Sequence, residues 1–374
     1  MRIAPFSIEE YFAQHEFNVP YNLCASDCET TTIANLLQMA GLSMDALGEL
    51  TLGYTESQGH PLLREAIAGS YDQVLPEWVV VLGAPEEGIY ITMRTLLEPD
   101  DEVIVLTPAY ESLYNVAEHI CGNENVKAWP IEPQADHWRL SLQALEAQLT
   151  ARTKMLVVNF PHNPTGYLPA RSLFEAIIDL ARRHELWLFC DEMYRGLETG
   201  DTEQLPSAAD HYERAIVLAG LSKVHGLPGL RSGWLVIQDE TVRERLINWK
   251  HYTTICAPAP SEFLALAALS AQDELVARSR AVLEENLGIA GDFFARHEDK
   301  FTWRRPQAGS VALVGVSVTS ATDYCRQLIT EAGVLLLPGP YLGYDDKHVR
   351  FGFGRRDFRR NLQQFEAYLD HETV

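Results

Sequence analysis

A lysine lies between a hydroxyl group and a glycine-rich turn in one segment of the chain, with an arginine eight residues further on. The segment runs from Ser222 through Lys223 to Arg231 and reads SKVHGLPGLR. It follows an apolar run, residues 215–219, which predicts a buried strand, and open α/β sheets bind their ligands at the carboxyl ends of strands. A lysine held there can form a Schiff base with an aldehyde cofactor, and the serine and arginine are suited to bind a phosphate. A structural lysine without this chemistry is the alternative.

Two further segments place polar groups at the predicted ends of strands. Residues 159–166 read NFPHNPTG and follow the apolar run 155–158, while Asp191 to Tyr194 read DEMY and follow the apolar run 186–190. These segments therefore point to the same edge of a sheet as the lysine. For NFPHNPTG, the turn-forming pairs Asn-Pro and Thr-Gly are a second explanation, and we expect both explanations to hold.

Taken in order, the three segments resemble those of the class I and II aminotransferases, which are fold-type I pyridoxal phosphate enzymes. The patterns of that family are N-x-P-x-N-P-T-G, D-E-x-Y and S-K-x-x-G-L-P-G-L-R-x-G, and several motifs in register are more specific than any one of them. The resemblance extends from Tyr54 to Arg350. It implies pyridoxal 5'-phosphate as cofactor and the transfer of an amino group between an L-amino acid and a 2-keto acid.

The resemblance also implies a role for each residue of the cofactor site. Lys223 would form the Schiff base and then move the α-proton of the substrate, while Asp191 would hold the pyridine nitrogen protonated, which makes the ring a stronger electron sink. Asn163 and Tyr194 would donate hydrogen bonds to the phenolic oxygen, with Asn163 also bordering the substrate, and Tyr110 would stack on the ring. A helix N-cap role for Asp191 and core packing for the two tyrosines are the alternatives.

The phosphate of the cofactor is expected to bind between Ser222, Arg231 and the start of the next predicted helix, where unpaired backbone N–H groups favour anions. Ala84 and Glu86 would contribute there, Glu86 chiefly through its backbone. The chain departs from the family pattern at Pro85, which has no N–H to donate. One backbone contact to the phosphate is therefore expected to be missing or shifted.

Two outlying residues complete the predicted site. Arg350 resembles the arginine that binds the α-carboxylate of the substrate through two parallel hydrogen bonds, with Arg355 and Arg356 as rivals. Tyr54 resembles a tyrosine that reaches the phosphate bound by the neighbouring subunit, which implies a homodimer with shared active sites. A turn before a helix is the alternative explanation for Tyr54.

The elements that must position these residues alternate between apolar strands and amphipathic helices, such as the helix predicted at residues 171–184. This alternation predicts an α/β protein, with a three-layer αβα large domain around a mostly parallel seven-stranded sheet and a smaller α+β domain. We expect an N-terminal segment (1–45) that packs with the small domain, a large cofactor-binding domain (46–280) and a small C-terminal domain (281–374). A long helical stretch is predicted at residues 261–296. The seven predicted strands are Trp78–Leu82, Glu102–Leu106, Val126–Trp129, Met155–Val158, Leu186–Cys190, Ala215–Ala219 and Gly233–Ile237.

Composition excludes several classes of partner. The 374 residues carry 30 Lys and Arg against 52 Asp and Glu, a formal net charge of −22, which repels nucleic acid and anionic membranes. The start of the chain lacks the pattern of a signal peptide and the apolar runs have strand length, so we expect a cytoplasmic protein without membrane spans. The six cysteines are scattered and complete no metal site, so no metal is expected.

Other reactions would use the same cofactor residues, because the cofactor supplies the electron sink in all of them. A lyase, or a cyclase or oxidase acting on an arginine-like amino acid, therefore remains an alternative to the aminotransferase. Four acidic residues, Glu56, Glu86, Glu87 and Glu111, hint at a cationic substrate, although solvated or capping carboxylates explain them as well. A non-enzymatic regulator would need a DNA-binding module, which the net charge disfavours.

Overall fold

A seven-stranded sheet forms the centre of the larger part of the protein, and a computed structural model describes residues 3–371. Its strand order is β2-β10-β9-β8-β7-β3-β4, and within the described residues β10 alone runs antiparallel to its neighbours. The strands are β1 Tyr21–Asn22, β2 Val79–Leu82, β3 Glu102–Thr107, β4 Val126–Pro130, β5 Glu132–Pro133, β6 Trp138–Arg139, β7 Thr153–Asn159, β8 Trp187–Asp191, β9 Ala215–Gly220, β10 Gly233–Ile237, β11 Phe301–Thr302, β12 Val311–Val316, β13 Val334–Leu335, β14 Leu337–Pro338 and β15 His348–Gly352.

Helices cover both faces of this sheet. The helices are α1 Ser7–His15, α2 Ile33–Met39, α3 Met44–Gly48, α4 Pro61–Ala68, α5 Pro85–Leu96, α6 Ser112–Cys121, α7 Leu142–Glu146, α8 Arg171–Arg183, α9 Glu240–His251, α10 Ala259–Ser270, α11 Gln272–Arg296, α12 Ala321–Ala332 and α13 Phe358–His371.

Alternate residues of the central strands enter two separate cores, which makes the large part three layers deep. In β8, Leu188 and Cys190 pack into one core with α2, α4, α8 and α10, while Trp187 and Phe189 pack into the other with α5, α6 and α9. All seven predicted strands are present in the sheet, within two residues at each end. The predicted α/β class, with a mostly parallel seven-stranded sheet, is thus confirmed.

The C-terminal part is an antiparallel sheet with the order β11-β12-β15-β14, packed against α11, α12 and α13 around a third core. The N-terminal β1 pairs in parallel with β13, and Gly352 of β15 donates its N–H to the carbonyl of Leu23 (2.8 Å). A Cβ atom on Gly352 would lie 1.8 Å from the carbonyl oxygen of Ala25, so only glycine allows this close approach.

The long helix predicted at residues 261–296 is two helices, α10 and α11. Ala271 between them leaves the helical conformation (φ −109°, ψ 18°), and Asp273 and Glu274 lie in the first turn of α11, where carboxylates favour the start of a helix. Helix α11 also runs across residue 280, so the domain boundaries stay predictions. Within residues 3–371, no helix has both the length and the apolar character needed to span a membrane.

Candidate active site

A cavity of about 570 Å³ opens where β7, β8 and β9 end. This volume lies within the usual range for small-molecule sites. Nine of the eleven residues predicted for the site line it, and the other two, Ala84 and Tyr54, do not. The nine are Glu86, Tyr110, Asn163, Asp191, Tyr194, Ser222, Lys223, Arg231 and Arg350.

Asp191 is the last residue of β8 and pairs in register with Asn159, the last residue of β7. Its carboxylate is buried and accepts a hydrogen bond from the N–H of Met193 (3.0 Å). Burial raises the pKa of Asp191 to about 6, although the Met193 hydrogen bond and the positive charge of Lys223 act in the opposite direction. A buried carboxylate with no full counter-charge is a suitable partner for a cationic ring nitrogen.

The side chain of Asn159 holds the turn that carries Asn163. Its amide nitrogen donates to the backbone carbonyl of Asp191 (2.9 Å), and its amide oxygen accepts the N–H of Asn163 (2.8 Å). The first asparagine of the motif therefore has a positioning role, while Asn163 itself lines the cavity.

Lys223 is half-buried and lies in the turn after β9. Its Nζ donates to the hydroxyl of Ser26 (2.6 Å), which brings the N-terminal segment against the lysine. The turn closes through the N–H of Gly226, which bonds to the carbonyl of Lys223 (3.1 Å). Gly226 has φ +65°, and a Cβ atom there would lie 2.4 Å from the carbonyl oxygen of Glu29, so the glycine in this motif is required by the backbone.

Three of the residues predicted for the phosphate site, Ser222, Arg231 and Glu86, line the cavity. Ser222 is buried, and Arg231 is exposed in the left-handed conformation (φ 50°) with one guanidinium nitrogen donating to the carbonyl of Pro228 (3.1 Å). Ala84 is the N-cap residue of α5 rather than a lining residue. The contacts of individual residues to a phosphate stay predictions.

The two carboxylates at the start of α5 point in different directions. Glu86 faces the cavity and accepts the hydroxyl of Ser112 (3.1 Å), and burial raises its pKa to about 7. Glu87 instead accepts the N–H of Gly83 (2.9 Å) and the hydroxyl of Thr254 (2.7 Å). Glu86 is thus easily neutralised and Glu87 does not line the cavity, which limits the repulsion of a phosphate bound nearby.

Arg350 lies on β15 and is only 2% exposed. Its guanidinium donates to the carbonyl of Cys24 (2.9 Å) and to the amide oxygen of Asn163 (3.3 Å), and both acceptors are neutral. Of its two rivals, Arg355 is paired with Asp27 (2.6 Å), and neither Arg355 nor Arg356 lines the cavity. Arg350 is therefore the arginine available to a ligand carboxylate.

Three buried polar groups that line the cavity have no hydrogen-bond partner among the described residues. They are the hydroxyl groups of Tyr194 and Ser222 and the Nε of Arg350. Such groups are costly unless a ligand or water satisfies them. A phenolic oxygen, a phosphate and a carboxylate would satisfy them in turn, so the site fits pyridoxal phosphate together with an amino acid.

Comparison with known proteins agrees with this chemistry. The family model described as "Aminotransferase class I and II" matches residues 20–360. The chain belongs to this family. It is a pyridoxal-phosphate-dependent enzyme of the aminotransferase class, as the sequence motifs predict.

Two curated relatives and two solved structures show how broad the family is. Capreomycidine synthase of Streptomyces vinaceus is 29% identical over 367 residues (97% of this chain, 93% of the relative), and arginine–pyruvate transaminase of Pseudomonas aeruginosa is 29% identical over 343 residues (88% and 84%). A PLP-dependent aminotransferase from Streptococcus suis superposes with a TM-score of 0.92 at 28% identity, covering 99% of both chains. The PLP-dependent cyclase OrfR superposes with a TM-score of 0.91 at 25% identity, covering 100% of this chain and 98% of the other.

Sequence reasoning missed the contribution of the N-terminal segment to the cavity of this aminotransferase-family enzyme. Phe6, Glu9, Phe12, Glu16 and residues 25–27 line the cavity. The hydrogen bonds that hold this segment at the cavity join residues about 100 or more positions apart in the chain. One example is the hydrogen bond from the Tyr110 hydroxyl to Glu9 (2.8 Å). No local pattern in a single sequence carries that information.

Two other expectations need revision or stay open. Of the four acidic residues that hinted at a cationic substrate, only Glu86 lines the cavity. Glu111 instead accepts the hydroxyl of Ser7 and the N–H of Ile8 (both 2.7 Å) at the start of α1. Tyr54 is 91% exposed and lies outside the cavity, and its predicted contact with a neighbouring subunit stays a prediction.

Proposed function

We propose that this enzyme transfers the amino group of an L-amino acid to a 2-keto acid, with Lys223 as its acid–base residue. The observation that carries the proposal is that Lys223, alone among the lysines of residues 3–371, lines the cavity that also contains Asp191 and Arg350. Bound pyridoxal phosphate would supply the electron sink that stabilises negative charge at the substrate α-carbon.

The residues of the chain would divide the remaining work. Arg350 would bind the α-carboxylate with two parallel hydrogen bonds and so orient the α-carbon. The Nζ of Lys223, once released from its covalent link, would take the α-proton and later return a proton. Asp191 would hold the pyridine nitrogen protonated, and Asn163 and Tyr194 would bind the phenolic oxygen.

A second candidate is ring closure on an arginine-type amino acid that carries a leaving group such as a hydroxyl on its β-carbon, because the bond to the leaving group must break when the new carbon–nitrogen bond forms. It is favoured by the similarity to capreomycidine synthase across nearly the whole chain and to the cyclase OrfR. Both reactions begin with removal of the α-proton, so the same residues serve both. The name of arginine–pyruvate transaminase makes arginine the first donor to test for amino transfer. The matching substrate for ring closure is an arginine analogue with a hydroxyl on its β-carbon, because that hydroxyl can leave as water.

An isotope experiment separates the two candidates. The holoenzyme is incubated with L-arginine labelled with ¹⁵N at the α-amino group and with unlabelled pyruvate, and the products are weighed by mass spectrometry. Amino transfer predicts ¹⁵N-alanine and the keto acid of arginine in equal amounts. The β-hydroxylated arginine analogue with the same label is tested in parallel. A cyclic product of this analogue that has lost water and keeps its ¹⁵N, with no alanine for any amino acid of a broad panel, would replace the first candidate by the second.

We also propose that the enzyme is a homodimer with shared active sites. Tyr54 is 91% exposed and Leu52 is 82% exposed. The hydroxyl of the neighbouring Thr55 donates to the carbonyl of Ala257 (2.9 Å), which follows a segment with the exposed residues Tyr252 and Ile255. Large apolar side chains exposed together are typical of an interaction surface.

A further inference from the structure

We propose that α1 and the residue that ends it select an amino acid whose side chain carries a cation, such as a guanidinium group, through the carboxylates of Glu9 and Glu16. The proposal rests on the proposed function, because the same cavity must bind the amino acid. It names the part of the chain that would recognise the distal end of the substrate.

The positive charges of the cavity already have roles. Lys223 and Arg231 are assigned to the cofactor and Arg350 to the α-carboxylate, and no other lysine or arginine among the described residues lines the cavity. A substrate with a second carboxylate would therefore find no cation for it. An acidic side chain would instead meet the carboxylates that remain.

Two of those carboxylates are already neutralised in part. Asp27 receives two hydrogen bonds from the guanidinium of Arg355 (2.9 and 2.6 Å). Glu86 receives the Ser112 hydroxyl, and burial raises its pKa to about 7, so that it carries only part of a charge near neutrality.

Glu9 and Glu16 form no ion pair within the described residues. Burial raises the pKa of Glu16, and the more distant positive charges of Arg355 and Lys223 act in the opposite direction. The carboxylate of Glu9 accepts the neutral hydroxyl of Tyr110 (2.8 Å). Among the described residues Glu16 has neither an ion pair nor a hydrogen bond to its side chain, although it is only partly exposed and lines the cavity. Two carboxylates without an ion-pair partner therefore face a space that must accept a ligand.

The helix face that carries both carboxylates also carries Phe12, which contacts the arginine assigned to the α-carboxylate. Glu9 and Glu16 are seven residues apart, and Phe12 lies between them, so all three lie on one face of the helix over a rise of about 10 Å. The guanidinium of Arg350 lies 5.7 Å from the centre of the Phe12 ring. One helix face thus carries two anionic groups and packs against the cationic group.

A second and independent feature shows that this cavity takes a ligand. The side chain of Arg350 is only 2% exposed, and its Nε has no hydrogen-bond partner among the described residues. A carboxylate from outside the chain would satisfy this donor and balance the buried charge. A molecule with a carboxylate at one end and a cation at the other matches Arg350 and the face of α1 together.

Several hydrogen bonds hold the helix in place, so its carboxylates are pre-organised at the cavity. Glu111 accepts the hydroxyl of Ser7 and the N–H of Ile8 at its first turn, and Tyr11 donates its hydroxyl to the carbonyl of Leu336 (2.7 Å). Pre-organised charges bind a ligand without the cost of ordering flexible side chains.

The test compares L-arginine with L-citrulline, which has nearly the same shape but a neutral urea group. Each is titrated into the holoenzyme, and the dissociation constant is taken from the change in the visible absorption of the bound cofactor. We expect arginine to bind about ten- to a hundredfold more tightly than citrulline, and L-glutamate to bind most weakly. The arginine preference should fall as salt is added, because a partly exposed ion pair is screened.

Glu9→Gln and Glu16→Gln should each reduce the arginine preference by about five- to twentyfold and leave the citrulline constant unchanged. Glu10→Gln is the matched control, since Glu10 is exposed on the same helix and does not line the cavity. If the variants do not fold, the unmodified enzyme still tests the proposal. Equal dissociation constants for arginine and citrulline, or an arginine preference that does not fall with salt, would overturn it.

The outcomes separate this proposal from the proposed function. If citrulline and arginine bind equally while amino transfer proceeds, the role of α1 is wrong and the function stands. If no amino acid changes the absorption of the cofactor, both proposals are overturned.

Discussion

Arg350 and Asp191 are buried residues of opposite charge, and neither forms an ion pair within the described residues. Arg350 contacts only uncharged acceptors, and the pKa of Asp191 is raised to about 6 by burial. Burying a charge without a partner is costly. A folded chain keeps such groups when a ligand completes them, which is why both residues indicate a ligand site.

Asp191→Asn tests this idea through the pH dependence of cofactor binding. Asp191 is mainly ionised above about pH 6, so the unmodified apoprotein should bind pyridoxal phosphate more weakly below that pH, by about tenfold per unit. Asparagine cannot titrate. The affinity ratio of the unmodified protein to the variant should therefore rise from pH 5 to about pH 6 and then level off.

The measurement is a titration of both apoproteins with pyridoxal phosphate at pH 5, 6, 7 and 8, followed by amino transfer at pH 7. The variant should lose most of its turnover while keeping its fold. Parallel pH profiles, or turnover close to that of the unmodified enzyme, would rule out the assigned role of Asp191.

At the scale of elements, the sequence was most informative for the central strands. Strands buried on both faces are nearly continuous apolar runs, so their positions can be found without knowing the fold. This is why β10 is predicted without error and the polar residues that end β7 and β8 are predicted in the right place.

The sequence was least informative where contacts join distant parts of the chain. Helix α1 lies at the cavity because Glu111 binds its first turn and Tyr110 binds Glu9, and those pairs are 101 to 104 residues apart. The break between α10 and α11 was missed because Ala271 is a good helix former and gives no local signal. A periodic pattern alone specifies neither feature.

At the scale of the whole molecule, the exposed Tyr54 predicts that each subunit completes the site of the other. Tyr54→Phe protein is mixed with Lys223→Ala protein and allowed to exchange subunits. One site of the mixed dimer would then carry both substitutions and the other neither. The intact site should bind cofactor with unmodified affinity, whereas Tyr54→Phe alone should bind about five- to a hundredfold more weakly.

Sedimentation of the holoenzyme provides the control for this experiment. An active monomer, or normal cofactor binding by the Tyr54→Phe protein, would show that the sites are not shared.

Lys223 is the lysine that we expect to bind the cofactor covalently. One other lysine, Lys250, has properties that could suit the same role. Lys250 is fully buried and burial lowers its pKa, which are features of reactive lysines. However, Lys250 lies outside the cavity, and its Nζ faces the carbonyl of Ile255 (3.4 Å).

The most direct measurement is to reduce the holoenzyme with borohydride, digest it and locate the peptide that carries the mass of the cofactor. We expect the cofactor on the peptide that contains Lys223, and no covalently bound cofactor in Lys223→Ala protein that is folded. Cofactor on the Lys250 peptide, or a reducible link that persists in the Lys223→Ala protein, would contradict it.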